Sequence, residues 1–561
     1  MTMHHRGPIA GIASHGNLIA TAGYCNTVIL WDADRRQALA RGNHDHLVNQ
    51  CAFNQSGTLL LSASSDYTAR LWDVPSMRLK AVLGGHEDDV DMAAFSPDDR
   101  LIATCALDRK VRIFTVDGHC LFSLAGHTGN VLSLAWSQDS RRLVSSSVDG
   151  TLREWSVEEG RALQTHHLGM RTDSVVIDRR GRIWAGDDDG RIVRVLDGAM
   201  RCWPAHRAGI KKLVLHPAGT HLLTLSYDRF IGVWRIHDNG EPEEICRHPC
   251  PASIWVRAAT FLDDRRVAVG TFGGTYAVLD WQTAQWDLTG VAAGKALNGI
   301  TVAGPHIYSV GDAGMVLRDG LPQAAMGSLC NFITHSGTRL FCGGLLGTLF
   351  DGHTGEALYQ HHSPLNCGTL FVRDRHRYLA VGTYTGELLV FQLNDDDGSL
   401  QPVQQTKAYA NAVKSVAANG CHLFSVGASG DVCWHDVQTL QPVRQQHKAH
   451  TRIANACCAI GERGFASVGR DRTLRLWCGD EEATYATPHA FSVKAIAIDT
   501  GQRFLMTGSY GGTLAAFDLQ QRCWLPLQRP TASGIAAIDW NPNRSHFVAA
   551  AYDGNVHEIS L

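Results

Sequence analysis

The stretch TVILWD at residues 27–32 decides the fold, because it returns along the chain with a similar order of residues. It recurs as TARLWD at 68–73, TLREWS at 151–156, IGVWRI at 231–236 and TLRLWC at 473–478. Each copy is a short run of β-forming residues, and Gly, Asp and Asn turns separate it from similar runs on either side. The sequence therefore predicts a repeated unit of short antiparallel strands.

The Trp of this stretch anchors fourteen repeats, with other residues at the same position in the weaker copies. The anchors are Trp31, Trp72, Phe114, Trp155, Val195, Trp234, Leu279, Asp319, Gly352, Phe391, His435, Trp477, Phe517 and Ile559. The mean spacing of about 41 residues is typical of the four-stranded blade of a β-propeller. Because propeller rings usually hold four to eight blades, fourteen units fit two rings of seven better than one ring.

We therefore predict an all-β protein made of two seven-bladed propellers, at residues 1–280 and 281–561, the second with more degenerate repeats. The final repeat, ending GNVHEISL, leaves no room for a fourth strand. We expect the segment WQTAQWDLTG at 281–290 to supply that strand, and the N-terminal residues to close the seventh blade.

Four positions recur in register within the strongest repeats: a His, a Ser or Thr, an Asp six residues before the anchor, and the Trp itself. The complete sets are His44, Ser62, Asp66 and Trp72; His127, Ser145, Asp149 and Trp155; His206, Thr224, Asp228 and Trp234; and His450, Ser467, Asp471 and Trp477. In this pattern the chain resembles the WD-repeat β-propeller family over nearly its whole length. The resemblance implies that each set is a buried chain of hydrogen bonds from Trp to Ser or Thr, to His, to Asp.

A Ser, a His and an Asp at fixed separations also raise the hypothesis of a hydrolase. A nucleophile needs access to its substrate and an oxyanion site, and four equivalent copies spread around a ring are odd for one active site. Buried polar groups, by contrast, must all be hydrogen-bonded. We therefore expect the four sets to stabilise the fold, and we expect no catalytic residues.

Candidate metal and cofactor sites are weak. Cys246, His248 and Cys250 form the one tight thiol–imidazole group, without the second ligand pair that zinc favours. The aspartate runs at 187–189 and 395–397 lack calcium-loop spacing, and we expect both to be solvated turns. No phosphate-binding loop is present, and the glycine-rich stretches have no βαβ context. We expect no metal and no cofactor.

Charge, hydropathy and cysteine content limit the classes of partner and the compartment that the sequence supports. The 51 Lys and Arg residues nearly balance 54 Asp and Glu, for a net charge of −3, so the basic footprint of a dedicated nucleic-acid binder is missing. No run reaches the length of a membrane span, and the first residues lack the apolar core of a secretory signal. Sixteen cysteines dispersed through apolar segments are typical of thiols in a reducing compartment. We expect a cytoplasmic protein.

In the resembling family, partners usually dock on the end of the ring that carries the turns between second and third strands. We predict that binding residues lie there and on the first strands nearby. They are Tyr384, Lys414, Arg470, Lys494, Tyr510 and Tyr552 in the second ring, with Asp89, Asp91, Lys211, Tyr227 and Phe272 in the first. The predicted function is a non-enzymatic scaffold within a hetero-complex. Its expected partners are other proteins with acidic surface patches. RNA-associated, ribosome-associated and actin-associated tandem propellers remain alternatives, and a propeller enzyme is the least favoured.

Overall fold

The computed structural model describes the chain except residues 1, 2, 252, 293, 294, 395–398, 463 and 480, so the aspartate run at 395–397 lies outside the described residues. The described chain is all-β, with 55 strands and no helix. It divides into two compact units, Met1–Gly294 and Lys295–Leu561.

The first unit holds seven four-stranded antiparallel sheets, each a blade of strands consecutive in sequence. Its strands are β1 (Ile9–His15), β2 (Leu18–Gly23), β3 (Thr27–Asp32), β4 (Gln37–Asn43), β5 (Val48–Phe53), β6 (Leu59–Ser64), β7 (Ala69–Asp73), β8 (Leu79–Leu83), β9 (Val90–Phe95), β10 (Leu101–Ala106), β11 (Lys110–Thr115), β12 (Cys120–Ala125), β13 (Val131–Trp136), β14 (Arg142–Ser147), β15 (Thr151–Ser156), β16 (Arg161–His167), β17 (Thr172–Ile177), β18 (Ile183–Asp187), β19 (Arg191–Leu196), β20 (Ala199–Pro204), β21 (Ile210–Leu215), β22 (His221–Ser226), β23 (Phe230–Ile236), β24 (Pro242–Pro249), β25 (Ile254–Phe261), β26 (Arg266–Thr271), β27 (Ala277–Asp280) and β28 (Gln285–Asp287).

The second unit holds six four-stranded sheets and a final three-stranded one. Its strands are β29 (Leu297–Ala303), β30 (His306–Gly311), β31 (Met315–Arg318), β32 (Leu321–Ala325), β33 (Cys330–Ser336), β34 (Arg339–Gly344), β35 (Thr348–Asp351), β36 (Ala357–Gln360), β37 (Leu365–Arg373), β38 (His376–Thr383), β39 (Glu387–Leu393), β40 (Leu400–Lys407), β41 (Val413–Ala418), β42 (His422–Gly427), β43 (Val432–Asp436), β44 (Pro442–Gln446), β45 (Ala454–Ile460), β46 (Gly464–Gly469), β47 (Thr473–Cys478), β48 (Glu481–Ala486), β49 (Val493–Ile498), β50 (Phe504–Ser509), β51 (Leu514–Asp518), β52 (Cys523–Trp524), β53 (Ile535–Asn541), β54 (His546–Ala551) and β55 (Val556–Ile559).

Both units are closed rings of seven blades. The first strand of each blade packs against the first strand of the next, and β25 returns to β1 in the first ring as β53 returns to β29 in the second. The hydrophobic cores lie between neighbouring blades, as where Leu71 of the second blade packs with Phe114 of the third. The closing interfaces are built in the same way. Trp31 packs with Tyr276 across the first seam, and Leu297 packs with Val548 across the second.

The predicted closing strand is wrong. The segment 281–290 does not complete the last blade; it forms β28, which pairs with β27 in the seventh blade. The cause is local: Asp280 Oδ1 accepts the N–H groups of Gln282 and Thr283 at 3.1 Å, which turns the chain back onto its own strand. The compact division accordingly follows Gly294 rather than residue 280, and the last blade keeps three strands.

One backbone hydrogen bond is shared by all fourteen blades. The N–H seven residues before each anchor, in the turn between second and third strands, donates to the carbonyl that precedes the first strand of the same blade. Examples are Tyr24 to Pro8 at 2.8 Å and Asp312 to Ala296 at 2.9 Å. The register predicted for the weak repeats at Asp319 and Gly352 is thereby confirmed, and all fourteen turns lie at the corresponding end of their ring.

The N-terminal residues fasten the first ring without adding a strand. His5 and Gly274, in the turn of the seventh blade, exchange two backbone hydrogen bonds of 2.8 and 2.9 Å. The expectation that the N-terminus closes the seventh blade is met by this bridge alone.

Deleting residues 1–7 should therefore loosen the first ring selectively, because it removes His5 and both bonds to Gly274 while keeping Pro8. Hydrogen exchange should accelerate in β1, β26 and β27 and stay unchanged in the second unit. Faster exchange in β53–β55 instead would show that the N-terminus stabilises the other ring.

Candidate functional site

The four complete sets of His, Ser or Thr, Asp and Trp form the hydrogen-bond chains that the family resemblance implied. In the fourth blade, the Trp155 indole N–H donates to Ser145 Oγ at 2.8 Å, and His127 Nε2 lies 2.8 Å from the same hydroxyl. His127 Nδ1 lies 2.9 Å from Asp149. With the imidazole proton on Nδ1 every polar atom of the chain is satisfied.

The other complete sets repeat this geometry, with His-to-Asp separations of 2.8 Å at His44, 2.9 Å at His206 and 3.0 Å at His450. Their hydroxyl groups are fully buried, as is that of Ser145. A substrate therefore has no path to these oxygens, and the arrangement is that of interior structural polar groups.

The first blade carries a variant chain in which a thiol replaces the carboxylate. Trp31 donates to Thr21 Oγ1 at 2.7 Å, His5 Nε2 lies 2.7 Å from that oxygen, and His5 Nδ1 lies 3.1 Å from Cys25 Sγ. Burial acts to raise the pKa of Cys25, but the charge and hydrogen bond of His5 outweigh it and lower that pKa to about 6. Sequence reasoning missed this set because Cys25 breaks the pattern at the Asp position.

Each first strand begins with a β-bulge at its second residue, except β25, where the irregularity extends from Ile254 to Ala259. In the first ring these bulged residues line a central cavity. Where the bulged residue is Asn, its amide donates to the first residue of the next blade: Asn49 to Val90 at 2.9 Å, Asn331 to Leu365 at 2.8 Å and Asn455 to Val493 at 2.7 Å. Adjacent blades are thereby tied together around the channel.

The predicted residues of the second ring occupy equivalent positions at one end of it. Lys414 and Lys494 are bulged residues, and Tyr384, Arg470, Tyr510 and Tyr552 are the turn residues that make the shared backbone bond. All six are partly exposed. Tyr510 and Tyr552 stack on each other with ring centroids 6.1 Å apart.

The two lysines of this set act on the same buried thiol. Burial raises the pKa of Cys367 to about 12, while the ammonium groups of Lys414 and Lys494 both act to lower it. The one acidic residue among the bulged and turn positions of the second ring is Asp312, and burial raises its pKa to about 7. Among the bulged and turn positions of the second ring, the basic residues Lys414, Lys494 and Arg470 therefore outnumber the one acidic residue.

The first ring has a different mouth, in which charges neutralise each other. Lys211 Nζ lies 2.6 Å from Asp173 and 2.7 Å from Asp188, and Tyr227 lies under the ammonium group at 4.7 Å. Arg171 Nε also donates to Asp173 at 2.7 Å. The Lys211 side chain is only 1% exposed, so its charge is paired with these aspartates inside the ring.

Several expectations for the first ring need correction. Phe272 is 2% exposed, so it packs inside the ring and offers no contact area to a partner. The run at 187–189 is not a solvated turn throughout, because Asp187 is buried and accepts Arg191 Nε at 2.7 Å. Asp89, Asp91 and Tyr227 remain partly exposed. The charged channel itself was missed, since its members come from separate blades.

The thiol–imidazole group at 246–250 has ordinary partners. Cys246 Sγ lies 3.5 Å, and His248 Nε2 2.7 Å, from the carbonyl oxygen of Trp281. Cys250 is partly buried beside Arg229, and desolvation raises its pKa to about 12. Within the described part of the chain there is no helix long and apolar enough to cross a membrane.

Comparison with known families agrees with the geometry of the blades. Six segments match the model described as WD domain, G-beta repeat: residues 1–32, 38–73, 77–115, 118–156, 199–235 and 525–557. The chain thus carries WD repeats in both of its rings. A short match of residues 174–195 to the model described as strictosidine synthase-like, N-terminal, lies within the fifth blade.

Curated relatives are similar over part of the chain. A periodic tryptophan protein 2 homolog of Dictyostelium discoideum is 26% identical over 268 residues, which is 45% of this chain and 28% of the relative. The nuclear distribution protein PAC1 of Arthroderma benhamiae is 30% identical over 180 residues, 28% of this chain and 39% of the relative. WD repeat-containing protein 1 of Gallus gallus is 28% identical over 232 residues, 38% and 37% of the respective chains. The WD-repeat chain thus covers less than half the length of each of these three relatives.

Replacing Asp149 with Ala should destabilise the protein without a specific loss of activity. The substitution leaves buried His127 Nδ1 without its acceptor, a cost of about 1–3 kcal/mol. The shift of the denaturant midpoint measures it, with Glu158→Ala as the exposed control in the same blade. A variant that folds as stably as wild type but loses one activity would restore the catalytic hypothesis.

Replacing Asp91 with Asn should stabilise the protein at pH 7.5. Burial raises the pKa of Asp91 to about 6, with Asp173 and Asp89 adding to the shift and Arg257 opposing it. Because the folded chain holds this proton more tightly than the unfolded chain, the stability from Asp91 falls as pH rises from about 4 to 6.

The melting temperature of Asp91→Asn should exceed that of wild type at pH 7.5 and approach it at pH 5. Asp117→Asn, an exposed change in the same blade, should alter neither value. A destabilised Asn variant at pH 7.5 would show that the Asp91 carboxylate holds the channel together as an anion.

Proposed function

We propose that the chain is a non-enzymatic scaffold whose second propeller binds a partner protein through an acidic segment. The observation that carries this proposal is that three basic residues, Lys414, Lys494 and Arg470, lie at one end of a closed ring. Tyr384, Tyr510 and Tyr552 lie at the same end and supply rigid aromatic contact area with a polar tip.

The rigidity of the ring supports the proposal. Each turn is fixed by its backbone hydrogen bond to the first strand, and neighbouring first strands are packed together. Little conformational entropy is then lost when a partner docks. The first propeller is the weaker candidate, since Lys211 and the aspartates at its channel neutralise one another. Asp89 and Asp91 remain the secondary surface.

The similarity to other WD-repeat proteins is consistent with a place in a multiprotein assembly. A CCR4-associated factor 4 homolog of Candida glabrata, which is named for such an association, is 33% identical over 137 residues. That match spans 22% of this chain, so it supports the class of function and not the partner. We place the protein in the cytoplasm.

Reversing both cationic charges tests the docking surface. The double variant Lys414→Glu and Lys494→Glu should weaken binding of partners captured from the source organism at least tenfold, mainly by slowing association. The binding constant and its salt dependence should be measured for each captured partner. The matched control, Arg375→Glu with Arg522→Glu, places the same charge change in turns at the opposite end of the same ring and should bind as wild type does.

A second double variant tests what the aromatic residues contribute to the affinity for partners. Tyr510→Ala with Tyr552→Ala should cost about 2 kcal/mol if the stacked pair is the centre of the interface. Undiminished binding by both double variants would overturn the proposal and direct attention to Asp89 and Asp91. Loss of binding to a single-stranded RNA at low salt, with protein partners unaffected, would instead favour the RNA-associated alternative.

A further inference from the structure

The tenth blade, β37–β40, lacks the usual hydrogen-bond partners of the histidine that precedes its first strand. His361 donates its backbone N–H to Gly347 at 2.9 Å, the contact that His44 makes with Asn26 in an intact set. The positions of Ser, Asp and Trp are occupied here by Val381, Thr385 and Phe391. The His361 imidazole therefore lacks the hydroxyl and the carboxylate that hold its counterparts.

The buried imidazole faces two other ligand-type groups instead. His361 is 4% exposed, and its Nε2 has no hydrogen-bond partner. Glu387 Oε2 lies 3.3 Å from that nitrogen, and His362 Nε2 lies 4.0 Å from the same oxygen. The three ligand atoms all lie within 4.8 Å of one another, the one such His, Cys, Asp and Glu group of three or more among the described residues.

Surrounding groups orient these atoms as ligands. His361 Nδ1 lies 3.2 Å from the carbonyl oxygen of Ser363, so an Nδ1–H donated there leaves the lone pair on Nε2. The Ser363 N–H lies 3.1 Å from the same Nδ1 and favours the other tautomer in the absence of a cation. A cation at Nε2 selects the first arrangement.

The carboxylate of Glu387 is held by hydrogen bonds outside the cluster. Thr385 Oγ1 donates to Oε2 at 2.8 Å, and the Gln405 amide donates to Oε1 at 2.7 Å. The adjacent His361 imidazole lowers the pKa of Glu387 to about 2 against the opposing effect of burial, so the carboxylate is an anion at neutral pH.

Two imidazoles and one carboxylate are a ligand set that zinc accepts, with a further position left for water. Tetrahedral zinc places neighbouring N and O ligands about 3.4 Å apart, given bonds of about 2.1 Å. The His361–Glu387 separation of 3.3 Å already meets this. The His362 side chain is 60% exposed, and a small rotation of it shortens its 4.0 Å separation from Glu387 to the same value. We propose that His361, His362 and Glu387 form a zinc site on the second propeller, open to solvent on the side of His362.

Zinc binding by the intact, chelator-treated protein tests the site. Calorimetric titration should give one equivalent bound with a dissociation constant in the micromolar range or tighter. Co²⁺ should give the visible absorption of a four- or five-coordinate N and O site, without a thiolate charge-transfer band. Because five of the sixteen free cysteines are exposed, the titration should be repeated after alkylation of accessible thiols.

Three variants assign the ligands. Glu387→Gln keeps the shape of the side chain and His362→Ala changes an exposed one, so both should fold, and each should weaken zinc binding at least tenfold. His376→Ala, an exposed histidine at the far turn of the same blade, is the matched control and should bind zinc as wild type does. Absence of binding at 100 μM zinc, or wild-type affinity in both ligand variants, would overturn the assignment.

Discussion

The hydrogen bond from each inter-strand turn to the carbonyl before the first strand fixes the arrangement of one end of both rings. It pins the turn residue beside the bulged residue of the same blade, so fourteen pairs of positions have a constant relation to their channel. The sequence is free to vary at these positions because the backbone, and not the side chain, makes the bond. Tyr, Arg, Asp and Leu all occupy the turn position without loss of register.

This freedom produces two mouths of different electrostatic character from the same architecture. In the first ring, Lys211 is buried between Asp173 and Asp188, and the charges stabilise the channel itself. In the second, the bulged positions hold Lys414, Lys494 and several Asn residues, and the Asn side chains link neighbouring blades. The two rings therefore carry different charged residues at equivalent backbone positions.

The sequence predicted the repeat, the register of weak units and the four structural sets, because those depend on side chains that recur at fixed spacing. It did not predict that the segment 281–290 pairs with the seventh blade, since that pairing depends on the turn at Asp280. Nor did it show that Phe272 and Lys211 are buried, because burial at the channel is decided by neighbouring blades. The histidines at 361 and 362 meet Glu387 only after a degenerate blade has folded.

At the closing seam of the first ring, the sulfur of Cys25 lies at the position that an aspartate carboxylate occupies in the complete sets. At the complete sets a histidine is held by an aspartate, which resists oxidation and releases its partner only in acid. At the seam, His5 is held beside Cys25. The lowered pKa of Cys25 favours the thiolate, which is the form that peroxides attack. Conversion of that thiol to a sulfenic acid enlarges and repolarises the group against which His5 rests. Oxidation of Cys25 would therefore disturb the contact that holds His5 at this seam, whereas in the second ring the corresponding seam is packed by Leu297 and Val548.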